Sequence, residues 1–132
     1  MKVLVTGGRD WNKRKVTYAA LDQLNAIYKF DTLIDGMAKG ADELAFDWAI
    51  SRGIKTERYK ADWDNIDRPG AVIKYTKWGK PYDAAAGSIR NQQMLDEGKP
   101  DLLVAFPGNN GTADMIRRAR DAGIEIKHVT LK

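Results

Sequence analysis

Short apolar runs alternate along the chain with segments of helical spacing. Val3-Leu4-Val5 is apolar and largely β-branched, and Gly7-Gly8 stops it, which predicts a buried strand. Between Lys13 and Lys29, Val16, Ala20, Leu24, Ile27 and Tyr28 recur at the spacing of one helical face. Thr32-Leu33-Ile34 predicts a second strand, ended by Asp35-Gly36. Ala41 to Arg52 predicts a helix with Ala41, Leu44, Ala45 and Trp48 on its apolar face and Gly53 as its stop. Ile54 to Tyr59 is a third strand, Gly87 to Glu97 a third helix, and Leu102 to Phe106 a strongly apolar strand. A last helix runs from Thr112 to Ala122, and a last strand from Glu125 to Val129.

Strands that alternate with helices imply a mostly parallel sheet with helices on both faces. The fold class expected is therefore α/β, a single Rossmann-like domain over residues 1–132 with a five-stranded sheet. One stretch breaks the pattern. Residues 60–86 hold Trp63, Tyr75, Trp78 and Tyr82 among Lys74, Lys77 and Lys80, with Pro69 and Pro81. An extended loop of this length is expected to be a lid or an assembly element.

Ligands of parallel α/β sheets sit beyond the carboxyl ends of the strands, so the residues after each strand carry the chemistry. Gly7-Gly8-Arg9-Asp10-Trp11 follows the first strand, Gly36-Met37-Ala38-Lys39-Gly40-Ala41-Asp42 the second, and Pro107-Gly108-Asn109-Asn110-Gly111-Thr112 the fourth. Each leads towards a helix, whose first amides are free and whose dipole favours an anion. Glycine lets a phosphate approach the backbone. One such loop is commonly a plain turn; three at one sheet edge point to a phosphate-bearing ligand. Asp10 is expected to cap the first helix, and Asp42 and Glu43 to be helix-start residues, with Asp42 able to orient Lys39. Trp11 and Trp48 are expected to pack, and His128 to be structural.

The absence of cysteine removes disulfides, thiolate metal sites and cysteine nucleophiles. No His/Asp/Glu cluster has metal-ligand spacing, so neither a metal nor a cofactor is expected. The pattern Gly-x-x-x-x-Gly-Lys-Ser/Thr is missing, as is a dinucleotide Gly-x-Gly-x-x-Gly after the first strand. The lone histidine and the lack of Gly-x-Ser-x-Gly argue against a serine triad. The opening apolar run is too short for a signal peptide or a membrane span, so a cytoplasmic protein without a membrane partner is expected. The formal charge of +4 suits an anionic partner or simple solubility.

At these loops the chain resembles the SLOG superfamily, and most closely its YspA-like branch. Val5-Thr6-Gly7-Gly8-Arg9-Asp10 is similar to the branch's opening motif and Gly36 to Asp42 to its second. The second also resembles the Ser-Gly-x-Ala-x-Gly-Ile-Asp stretch of the DNA-processing protein DprA. Ala86-Gly87-Ser88-Ile89-Arg90-Asn91 resembles the branch's Ala-Gly-x-x-Arg-Asn segment, and Phe106 to Thr112 its Phe-Pro-Gly-Gly-x-Gly-Thr loop.

The resemblance implies a nucleotide-derived small-molecule ligand. The residues expected to bind it are Gly7, Gly8, Arg9, Gly36, Lys39, Gly40, Arg90, Asn91, Gly108, Asn109, Gly111 and Thr112. It also implies a homodimer or higher homo-oligomer. Three functions stay open: a binding protein acting as sensor, carrier or sequestering agent; a nucleotide N-glycosidase like the LOG phosphoribohydrolases; and a single-strand nucleic-acid binder. If the chain is a hydrolase, Arg90 and Asp114 are its catalytic residues. The LOG motifs read Arg-Lys-x-x-Met and Pro-Gly-Gly-x-Gly-Thr-x-Glu, however. Here Asn91 replaces the lysine, Asn109 the second glycine and Asp114 the glutamate, which favours binding over hydrolysis.

Overall fold

The computed structural model describes residues 1–130. The elements come in the expected order: β1 (Lys2–Thr6), α1 (Arg14–Tyr28), β2 (Thr32–Asp35), α2 (Ala41–Ser51) and β3 (Lys55–Arg58). After the long connection come α3 (Ala86–Asp96), β6 (Leu102–Ala105), α4 (Asn110–Asp121) and β7 (Glu125–His128). These strands form a five-stranded sheet in the order β3-β2-β1-β6-β7. Every pairing in it is parallel.

The burial pattern explains the strand order. β2 and β6 are buried along their whole length, as is β1 after Lys2, because helices cover both faces of the sheet centre. β3 and β7 carry charged residues and lie at the edges. Successive residues of β1 point to opposite faces. Val3 and Val5 join Leu21, Trp48, Leu102 and Val104 in the core under α1 and α2. Leu4 joins Ile34, Met94, Leu103 and Met115 under α3 and α4. Trp48 is fully buried, and its indole N–H donates to Asp22 at 2.9 Å. Trp11 also packs, tilted against Phe106 with ring centroids 5.6 Å apart, and donates to Thr17 Oγ1 at 2.8 Å. His128 sits exposed on the edge strand β7.

Two expectations need correction. Asp10 does not cap α1: that helix starts at Arg14, and Lys13 before it supplies no side-chain cap. The stretch expected as an irregular loop also contains an antiparallel hairpin, β4 (Ile73–Tyr75) with β5 (Pro81–Asp83). A buried carboxylate holds its base. Asp83 Oδ1 accepts from the amides of Val72 and Ala85, both at 3.0 Å, and Oδ2 from Arg68 Nε at 2.9 Å. The hairpin sorts the aromatic residues. Tyr75 and Trp78 point outward, 67% and 84% exposed, whereas Trp63 and Tyr82 meet edge to face with centroids 6.2 Å apart.

Among the described residues, no helix is long and apolar enough to cross a membrane.

Candidate functional site

The strand order creates a switch point. From β1 the chain moves through α1 to β2 on one side, whereas β6 pairs on the other side of β1. The loops leaving β1 and β6 therefore diverge, and a crevice opens between them. Backbone hydrogen bonds join all three glycine loops there. The Gly8 amide donates to the Pro107 carbonyl at 2.8 Å, and the Ala41 amide donates to the Gly8 carbonyl at 3.2 Å.

This contact requires glycine. A Cβ on Gly8 would stand 3.0 Å from the Pro107 carbonyl oxygen, and one on Gly108 only 2.1 Å from Thr112 Oγ1. Gly40 is the most constrained. Its φ is +77°, and a Cβ there would fall 2.2 Å from the Gly8 carbonyl oxygen.

The crevice is a cleft of about 480 Å³, within the range of small-molecule sites. Gly7, Gly8, Arg9, Arg90, Asn91, Asn109, Gly111, Thr112 and Asp114 all line it. The first turn of α4 opens on it through Asn109, Asn110, Gly111 and Thr112. Amides of a first turn have no helical carbonyl four residues before them, so they can serve an anion. Gly36, Gly40 and Gly108 stand behind this lining, where they let the loops pack. Lys39 is exposed and outside the lining.

Ionic and polar side chains tie the lining together. The Arg90 guanidinium donates through Nη1 to the Gly36 carbonyl and through Nε to Asn91 Oδ1 at 3.1 Å. The buried Asn91 amide in turn donates to Asp114 Oδ2 at 3.0 Å and to the Gly111 carbonyl at 3.3 Å. Asp114 also accepts from Arg118 Nε at 2.9 Å and from Arg117. Burial pushes its carboxyl up, but the Asn91 and Arg118 hydrogen bonds and the charges of Arg118 and Arg117 outweigh this. Its pKa lies below the ordinary value. Burial lowers the pKa of Arg90, against the pull of Asp42.

Asp42 lies in the first turn of α2 as expected, but its side chain does more than that position implies. It is 5% exposed, and its Oδ2 accepts from the Gly36 amide at 2.9 Å and the Ala38 amide at 3.3 Å. The carboxylate thus clamps the loop preceding its own helix, and Lys39 is not its partner. Burial, with the neighbouring Asp35 charge adding to it, pushes the Asp42 carboxyl up to about 7. A pH dependence follows. From the ordinary value of 3.8 up to about 7, the folded chain holds a proton that the unfolded chain has released. Raising the pH across that window therefore favours unfolding. Carboxyls with lowered pKa, such as Asp22 and Asp114, act in the opposite sense and finish titrating near the ordinary value. Asp42→Asn keeps an oxygen acceptor for both amides and removes the buried charge. Urea midpoints at pH 5 and pH 8 are expected to show the variant gaining on the wild type at the higher pH. An equal pH response in both proteins would refute the assignment.

Residues 1–65 match the model of the YspA, cpYpsA-related SLOG family. The N-terminal part of the chain is thus similar to that family. Comparison with curated proteins gives no match. The SLOG match spans the first two glycine loops and Trp63. Arg90, Asn91 and the third loop lie beyond it, and the fold carries them to the same cleft.

Two cleft residues escaped the sequence reading. Trp63 looked like one of several aromatic residues in a loop, and no periodicity marks which of them turns inward. Asp42 is the second residue of a helix, a position shared by ordinary acidic helix-start residues. The spacing Gly36-x-Ala38-x-x-x-Asp42 is the one local signal of the clamp.

Proposed function

We propose that the cleft binds a phosphate-bearing, nucleotide-derived small molecule, and that the chain acts as a sensor, carrier or sequestering protein. The observation that supports this is the α4 first turn opening on a cleft whose lining also contains Arg9 and Arg90. Backbone amides and guanidinium groups are the donors that suit a phosphate. The similarity of residues 1–65 to a SLOG family supports a nucleotide-related ligand.

The state of Asp114 argues against its acting as the general acid of a glycosidic cleavage. A general acid in sugar hydrolysis needs a raised pKa. Asp114 has a lowered one, and Asn91, Arg117 and Arg118 occupy both its oxygens. Asp114→Asn is therefore expected to bind a nucleoside monophosphate within about threefold of the wild type, a change under 1 kcal/mol. Calorimetric titration of both proteins checks this, with chromatography of the mixtures for free base. Release of base by the wild type that is lost in Asp114→Asn would establish the N-glycosidase instead.

A further inference from the structure

We infer that Trp63, with Arg9 beside it, is the wall on which the base of the ligand stacks. The inference rests on the phosphate reading above and adds the chemical class of the rest of the ligand: a flat heteroaromatic ring. A cleft of about 480 Å³ is far larger than a phosphate needs, so most of it must receive something else. Trp63 is the aromatic side chain of its lining.

Trp63 is held in place. Its carbonyl accepts from the Asp83 amide at 2.8 Å, which ties it to the base of the hairpin. Tyr82 supports its ring edge to face at an interplanar angle of 70°. At the start of α3, a Cβ on Gly87 would stand 3.0 Å from the tip of the indole. The absence of a side chain at that position therefore leaves the ring its room. Such support fixes an aromatic plane in advance, so little conformational freedom remains to be lost on binding. The ring is still partly exposed, and the cleft takes up its open surface.

Arg9 adds the second half of the recognition. Its guanidinium carbon lies 5.9 Å from the Trp63 ring centroid. A guanidinium plane and an indole both stack on a nucleobase, and neither needs a particular pattern of base hydrogen bonds. Arg9 also follows Gly8, whose amide holds the Pro107 carbonyl at the entrance to the third loop. The aromatic wall and the α4 first turn thus belong to one cleft, joined through three consecutive contacts: Trp63 to Arg9, Arg9 to Gly8, and Gly8 to Pro107. Stacking carries little base preference, so purine and pyrimidine nucleotides should both bind, the larger ring more tightly.

The test uses the full chain with three probes: adenosine 5′-monophosphate, ribose 5-phosphate and adenosine. Calorimetry is expected to show the nucleotide binding about tenfold more tightly than the sugar phosphate. Tryptophan fluorescence should be quenched by the nucleotide and not by ribose 5-phosphate. Trp63→Leu should remove the tenfold advantage and the quenching while leaving ribose 5-phosphate affinity unchanged. Trp63→Phe should restore most of the advantage, which separates stacking from damage to the fold. Equal wild-type affinity for nucleotide and sugar phosphate would overturn the inference, as would an advantage that survives in Trp63→Leu. Binding of adenosine that depends on Trp63, with none of ribose 5-phosphate, would keep the aromatic wall and refute the phosphate reading. Binding of none of the three probes would refute both.

Discussion

Gly40→Val is expected to cost the protein at least about 3 kcal/mol of stability, from a disallowed backbone conformation and a backbone clash together. The residue sits at φ +77° and ψ −120°, a combination that side-chain-bearing residues avoid. The added Cβ would stand 2.2 Å from the Gly8 carbonyl oxygen and 2.6 Å from that of Arg9. Neither can yield easily, because both atoms are backbone and Gly8 is bonded to Pro107 on its other side. Relief requires the first and second loops to separate, which would break the hydrogen bond from the Ala41 amide to the Gly8 carbonyl. The cleft would be lost with it. Thermal unfolding is expected to show a fall of roughly 10 °C or more. A variant that melts with the wild type would mean that the loops do not meet as described.

Gly111→Val is expected to have the opposite profile: wild-type stability and no measurable phosphate-ligand binding. A Cβ at this position meets nothing within 4 Å, and its φ is not in the left-handed region. A helix also tolerates valine at least as well as glycine, so the fold should lose nothing. Yet Gly111 lines the cleft in the first turn of α4, where the free amides are proposed to receive the phosphate. The two valine methyl groups would occupy that approach. The expected loss is about 100-fold or more in affinity, equivalent to about 2.7 kcal/mol. Titration of a nucleoside monophosphate into wild type and variant, alongside their urea midpoints, provides the check. Unchanged affinity with an intact fold would remove the α4 turn from the binding site. The two glycines thus separate a structural requirement from a functional one, and the separation is visible only in what surrounds each missing Cβ.

The order and type of the main elements were legible in the sequence because they depend on local patterns. Leu102 to Ala105 is apolar throughout and becomes a fully buried central strand. Arg14 to Tyr28 carries a single apolar stripe and becomes a helix with one face on the core. A parallel sheet follows from that alternation, and with it the meeting of the three loops at one edge. The loop part of the candidate lining was legible for the same reason: glycine after a strand and before a helix is a short-range signal. The hairpin was not, since strands of three residues with exposed side chains on β4 leave no periodicity to read.

Tertiary structure decided what each charged and aromatic side chain does. The Arg90 guanidinium meets a carbonyl 54 residues away, and the Asn91 amide meets a carboxylate 23 residues away. Asp42 became a buried clamp because the loop before its helix folds back over it. Asp114 became a strongly ionised, fully engaged carboxylate because Arg117 and Arg118 lie one turn further along the same helix and Asn91 faces it from α3. Trp63 turns into the cleft while Trp78 points outward, although the sequence shows both as aromatic residues among charges. The sequence by itself determined the layers, the strands that lie inside and the glycine loops at their ends, because hydrophobic periodicity and backbone freedom act over a few neighbouring residues. The protonation of Asp42, the hydrogen bond from Asn91 to the ionised Asp114 and the placement of Trp63 depend on burial and on groups brought from distant parts of the chain, and only the packed structure decided those.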